Sequence, residues 1–269
     1  MSAPKIRLLL LDIDGTLVGH GGVHESTWPA LDEARRAGVA LGLCTGRIGL
    51  GFARDLARKV APEGLHVFQS GAVVSRADGP PAHASTLPPE SFRGLIAASR
   101  REREPLEAFT PTGFYLESQT ELLRVHAHHL ELQPEVSDLT TLTEPVVRAQ
   151  WVVDESRWPH FRALTEALPG LASNPATAPW APGAVFSNIT RAGTNKASAL
   201  RWLAAHLGLT IDEVAMVGDG ENDLDAVAAA GVGVAMGNAH PSVKAAAQLT
   251  VARADDGGVA EAVRALLAG

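Results

Sequence analysis

Three short apolar runs in this chain each break off into a cluster of acids, amides, hydroxyls and glycine. Residues 6–11 end at Asp12-Ile13-Asp14-Gly15-Thr16, residues 39–44 at Thr45-Gly46-Arg47, and residues 214–217 at Gly218-Asp219-Gly220-Glu221-Asn222-Asp223. A nearly continuous apolar run of this length reads as a strand buried on both faces rather than as one with a wet side. A parallel sheet covered by helices on both sides buries strands in that way, and its functional groups gather beyond the carboxyl ends of the strands.

The intervening sequence supplies the helices. Ser26 or Thr27 can cap one that has Pro29 in its first turn, Trp28, Leu31 and Ala34 on one face, and Gly38 as its stop. An amphipathic stretch over 48–60 and a strand over 65–69 follow. From Val214 the alternation returns, with helices over 221–230, 242–247 and 259–268 and strands over 232–236 and 249–251. This pattern predicts an α/β fold, a doubly wound, Rossmann-like parallel sheet built from residues 1–79 and 189–269. Between these halves Asp78-Gly79-Pro80-Pro81 and Pro88-Pro89 are strong breakers, and Pro175, Pro179 and Pro182 cluster ahead of Val185. They mark residues 80–188 as an inserted domain. Helices over 91–103, 121–130 and 158–168, with extended segments over 114–117 and 146–153, give it an α+β character: a small sheet backed by helices.

Composition removes several classes of function. With 46% apolar and 20% charged residues, the 269-residue chain is neither disordered nor fibrous. Its formal charge of −7 and lack of a basic run argue against a nucleic-acid partner. No segment reaches the roughly 18 unbroken apolar residues of a membrane helix. The passage from Met1 through Lys5 and Arg7 into Leu8 and Asp12 is too short for a signal peptide, so a cytoplasmic location is expected. Cys44 is the single cysteine, which excludes an internal disulfide and a cysteine-based zinc cluster. Any metal must therefore be held by oxygen or histidine.

Asp12 and Asp14 in one turn, joined by Asp219 and Asp223 from another strand end, would repel one another unless a divalent cation neutralised them. A small all-oxygen set of this kind suits magnesium, which keeps water and takes a few carboxylates plus substrate phosphate. Phosphoryl transfer asks a protein for positioning and for charge stabilisation around the transferred oxygens. The Thr45 hydroxyl and the Gly46 N–H can bind such oxygens, and Lys196, where Gly193-Thr194-Asn195-Lys196 opens a predicted helix, brings a compact positive charge. Each cluster alone has an ordinary reading: Asp-x-Asp-Gly is a common turn, and a lysine at a helix start is usually solvated. The acid-rich stretch 218–223 costs stability unless it serves a site, and all four clusters fall at strand or helix ends.

Taken together, these motifs resemble the haloacid dehalogenase (HAD) superfamily. The stretch from Gly218-Asp-Gly-Glu-Asn-Asp-Leu through Ala229-Ala-Gly-Val-Gly-Val-Ala-Met-Gly-Asn-Ala239-His-Pro to Val243-Lys-Ala-Ala-Ala narrows the likeness to its Cof-type branch with a type IIB cap. The likeness covers nearly the whole core, and the insert matches in placement and coarse element order. It implies a phosphatase acting on a small phosphate ester, such as a sugar phosphate, through an aspartyl-phosphate. In it Asp12 would be the nucleophile and Asp14 the general acid and base. Magnesium (Mg2+) would be held by the Asp12 side chain, the Asp14 backbone carbonyl and Asp219, with Asp223 in support. Thr45, Gly46, Lys196 and Asn222 would hold the phosphate, and the insert would close over the site as a cap. A phosphomutase of the same superfamily, or a catalytically silent binding or regulatory protein, are the alternatives on this fold. Two departures stand out: Gln69-Ser70-Gly71-Ala72 replaces the usual Asn-Gly-Ala, and Asp225-Ala226 replaces a pair of large apolar residues.

Other polar and aromatic residues carry blander readings. His126 and His129 share a helix face, but two ligands do not make a zinc site. Cys44 reads as a packed small residue. Arg47 fits either a phosphate contact or a solvated helix start. Trp151, Trp158 and Trp180 are expected to pack the insert's core, with one of them free to line a substrate pocket.

Overall fold

The computed structural model describes residues 6–178 and 180–268, so Met1, Lys5 and Pro179 lie outside the described residues. In chain order the first elements are β1 (Leu8–Leu11), α1 (Thr27–Arg36), β2 (Ala40–Leu43), α2 (Gly51–Val60), β3 (His66–Phe68), β4 (Val73–Ser75) and β5 (Pro81–Ala84). The middle of the chain forms α3 (Pro89–Glu102), β6 (Leu106–Phe109), β7 (Phe114–Leu116), α4 (Glu121–His129), β8 (Glu135–Val136), β9 (Arg148–Asp154), α5 (Trp158–Glu166), β10 (Leu171–Ala176) and β11 (Ala184–Arg191). The last part forms α6 (Lys196–His206), β12 (Val214–Gly218), α7 (Leu224–Ala229), β13 (Val232–Ala235), α8 (Pro241–Ala246), β14 (Leu249–Thr250) and α9 (Gly258–Ala268).

Two compact units divide these elements: Met1–Arg47, Ala53–Ala82 and Asn195–Gly269 in one, Ile48–Phe52 and His83–Thr194 in the other. The first contains a parallel sheet in the order β14-β13-β12-β1-β2. Every residue of β1 is buried, because helices cover the sheet: α1 packs with α9, and α7 packs with α6 and α8. The expected α/β fold is the one observed. Strand order reverses between β1 and β12, and the carboxyl ends of the central strands meet there. Ser26 does take the N-cap position of α1, but its hydroxyl pairs with His24 Nδ1 (2.8 Å) and leaves the helix uncapped by a side chain.

In the second unit a six-stranded sheet runs β10-β11-β9-β6-β7-β8. Alternation along β9 feeds two apolar layers. Ala149, Trp151 and Val153 pack with Leu95, Leu106 and Phe161, while Val152 packs with Phe109, Phe114 and Phe186. Trp158 and Trp180 lie partly buried against these layers, as expected of them. His126 and His129 both stack on Trp180, and His126 Nδ1 lies 2.8 Å from the buried Glu107 carboxylate.

Several elements differ from the sequence reading. Pro81 and Pro175 were expected to interrupt structure, yet each sits in a strand, β5 and β10, that is outermost in its sheet. An edge strand has a side where the missing N–H of proline is not needed. The strand expected over 65–69 stops at Phe68, because Gln69 and Ser70 turn to φ values of 52° and 55°. The helix expected over 221–230 opens as a tighter turn, Glu221–Asp223, before α7.

Candidate active site

Strand register brings the polar clusters to one edge of the parallel sheet. Leu11 lies opposite Val217 on one side and Leu43 on the other. The Asp12 N–H donates to the Val217 carbonyl (3.0 Å) and the Cys44 N–H to the Leu11 carbonyl (2.8 Å), so Asp12, Gly218 and Cys44 leave the sheet together. Asp219 and Thr45 come one residue later. The turn after Asp12 is closed by Gly15 N–H donating to the Val18 carbonyl (2.9 Å) and Val18 N–H to the Ile13 carbonyl (2.8 Å). Gly15 is required there twice over: its φ is +79°, and a Cβ would collide with the Asp219 carboxylate.

Lys196 is the hub of the charge arrangement. Its Nζ donates to Asp12 Oδ1 (2.7 Å) and to Asp223 Oδ1 (2.5 Å), and all three side chains are almost wholly buried. The lysine is aimed by the start of α6, where Asn195 Oδ1 accepts the Ser198 N–H (2.7 Å) and the Asn195 amide donates to Asp225 Oδ2 (3.2 Å). Asp223 Oδ2 accepts the N–H groups of Asp219 and Gly220, both at 3.0 Å. Asp219 Oδ1 accepts the Thr16 hydroxyl (2.9 Å) and its Oδ2 the Asn238 amide (3.2 Å), which also donates to the Gly15 carbonyl (2.8 Å).

These contacts do not cancel the negative charge. Burial, then repulsion from Asp223, pushes the Asp12 carboxyl up to about 8 against the pull of Lys196. Burial likewise raises Asp219 to about 6. Burial opposes the charge on Lys196, but Asp12 and Asp223 outweigh it and hold the ammonium above the usual lysine range. The Cys44 thiol is pushed up to about 12 by burial, which fits a packed residue rather than a nucleophile.

Carboxylate oxygens of Asp12, Asp219 and Asp223 lie within 4.8 Å of one another, the one such group of metal-ligating side chains among the described residues. The one ammonium pairs with Asp12 and Asp223 and leaves Asp219 without a cation among the described residues, so a divalent cation that takes oxygen ligands fits both the donors and the residual charge. The Asp14 carboxylate is not in this group. It points to Arg47 instead, so the expected crowding of four acids is a crowding of three. Histidines 126 and 129 form no comparable group.

Around Gly46 the remaining candidates converge. A Cβ there would lie 3.3 Å from Ser70 Oγ and 3.8 Å from Asn222 Nδ2. Thr45, buried, donates its N–H to the Val67 carbonyl (2.9 Å), while its carbonyl accepts the Ser70 N–H (3.0 Å). Thr16, Asn238 and Asp225 were not singled out as site residues. Thr16 and Asn238 lie inside the motifs and are hydrogen-bonding types, but their common partner, Asp219, is fixed only by folding.

Carboxylates gathered around a buried lysine at the switch point of a parallel sheet define an α/β enzyme with an anionic, cation-ready centre. The sequence profile of the haloacid dehalogenase-like hydrolases matches residues 9–263, and the chain belongs to that family. Phosphatase YwpJ of Bacillus subtilis is 26% identical, over 97% of this chain and 100% of its own. A chloroplastic endoribonuclease YBEY of Arabidopsis thaliana is 28% identical over 97% of this chain, which spans 46% of that relative. The solved structure of BT1666 from Bacteroides thetaiotaomicron, studied among phosphatases of the superfamily, superposes with a TM-score of 0.81 at 26% identity, covering 97% of this chain and 95% of that one. The family is one of hydrolases, and YwpJ and BT1666 are phosphatases, which makes this chain a hydrolase of the phosphatase kind.

Proposed function

We propose that this enzyme hydrolyses a small phosphate ester, a sugar phosphate or a similar metabolite, through a phosphorylated Asp12. The observation that carries the reading is the Asp12–Lys196 contact of 2.7 Å, inside a buried group of three carboxylates at the strand ends. A nucleophile that is itself anionic needs such a fixed cation beside it to meet a phosphate. Asp12 attacks phosphorus as the bond to the leaving oxygen breaks, and Asp14 supplies the proton that oxygen takes up. Water then attacks the phosphorylated Asp12, losing its proton to Asp14, and phosphate departs with the Asp12 carboxylate restored. Thr45, Gly46, Lys196 and Asn222 hold the phosphate oxygens. The Asp12 side chain, the Asp14 carbonyl and Asp219 are the groups that would hold magnesium, with Asp223 in support. Bound there, the ion would offset the charge that the nucleophile and phosphate bring together.

The test is phosphate release from a panel of sugar phosphates, nucleotides and cofactor phosphates, with magnesium and with chelator, using Asp12→Asn as the blank. Metal-dependent release that the variant lacks supports the reading. Equal rates in enzyme and variant overturn it, and transfer of phosphate back to sugar without release points to a mutase.

A further inference from the structure

By sequence Arg47 fits a phosphate contact or a surface position; in the structure its partner is Asp14. Arg47 Nε donates to Asp14 Oδ2 (2.8 Å) and Nη2 to Oδ1 (2.7 Å), so one planar guanidinium takes both carboxylate oxygens. Such a fork fixes the plane and rotamer of a carboxylate, which a single donor does not.

The arginine is held in turn. Its backbone N–H donates to Thr45 Oγ1 (3.1 Å), and its carbonyl accepts the Gln69 N–H (2.9 Å). Gln69 makes the second of these tethers, and Ser70 donates its N–H to the Thr45 carbonyl (3.0 Å), both from the left-handed region, which non-glycine residues seldom enter. Sparsely populated backbone of this kind persists where the surroundings impose it, and it clusters at functional sites. Folding stability does not account for the arrangement: the Asp14 and Arg47 side chains are 56% and 29% exposed, and ion pairs that face solvent add little.

We propose that Arg47 is a positioning residue for Asp14, setting the orientation from which that carboxyl delivers its proton to the leaving oxygen and recovers one from water. One arm of the fork keeps the carboxyl in place while the other oxygen carries the proton. As the P–O bond breaks, its electron pair goes to the leaving oxygen, which takes the proton from Asp14. The inference rests on the role given to Asp14 above.

Acid assistance matters for a poor leaving group and hardly at all for one that departs as a stable anion, and this separates the possible roles of Arg47. The experiment measures kcat and KM with saturating magnesium for the fastest alkyl phosphate of the panel and for para-nitrophenyl phosphate. Asp14→Asn is expected to lose about 100-fold or more in kcat on the alkyl phosphate and far less on the aryl one. Arg47→Ala is expected to lose roughly tenfold more on the alkyl than on the aryl substrate, with KM little changed. Arg47→Lys should recover part of that loss, and the double variant should be no slower than Asp14→Asn alone. Equal losses of Arg47→Ala on both substrates, a rise confined to KM, or additive losses in the double variant would each overturn the role of Arg47 while leaving Asp14's intact. If Asp14→Asn itself fails to discriminate between the substrates, the acid assignment falls and takes this proposal with it.

Discussion

An ammonium shut away from water between two carboxylates, as Lys196 is between Asp12 and Asp223, alters what each of them contributes. Removing it in Lys196→Ala strands two buried acids without a cation, and the expected cost is about 3–5 kcal/mol in chemical denaturation. Asp12 supplies a second prediction. Its carboxyl, raised from 3.8 to about 8, holds its proton more tightly folded than unfolded. The associated stability is fully present below the unfolded value and is lost as the pH rises toward the folded one. Asp219, raised to about 6, acts in the same direction over the lower part of that window. Lys196 is charged in both states throughout and leaves the slope alone. Chelated protein should therefore melt lower at about pH 8 than at about pH 5, with a shallower pH slope in Asp12→Asn and recovery at the higher pH on adding magnesium. Parallel slopes in the two proteins would contradict this. Most of the residues in this cluster could be read from the sequence, because Asp12, Asp219, Asp223 and Lys196 each follow an apolar run or open a helix. The partner of Asp14 could not: Arg47 is 33 positions away, and only the adjacency of β1 and β2 brings the two turns together.

Turns and strands show the same division. β1, β2, β12 and β13 are apolar and unbroken, so burial on both faces was plain from composition alone. The central strand β6 was not anticipated. Its Glu107 looks like a surface residue until Gln150, 43 positions on, donates to it at 2.9 Å and His126 reaches it from α4. Such long-range satisfaction is what permits a carboxylate in a sheet interior. The turn after β1 was legible through Gly15, and its glycine requirement is testable. Gly15→Ala should cost about 1–2 kcal/mol from the left-handed backbone alone. Displacing the Asp219 carboxylate should weaken activity further, with a larger magnesium requirement than wild type. Unchanged magnesium dependence would show that Asp219 does not depend on this turn.

Across the whole molecule, the two compact units each carry their own sheet and buried core. Trp151, fully buried with the Phe161 ring at 4.9 Å, anchors the second unit, and Trp151→Ala should cost about 3–5 kcal/mol there. Hydrogen exchange should show the loss of protection concentrated in His83–Thr194, with the amides of β1 and β12 still protected; uniform loss would mean that the units unfold as one. For the described residues, no helix is long and apolar enough to cross a membrane. The central claim, that phosphate passes through Asp12, is tested most directly by acid-quenching the enzyme during turnover of its best substrate and locating bound phosphate by mass spectrometry. A chelator-sensitive adduct on the peptide carrying Asp12, absent from Asp12→Asn, is the predicted result; turnover with the adduct on another residue, or with none trapped under conditions that preserve acyl phosphates, would contradict it.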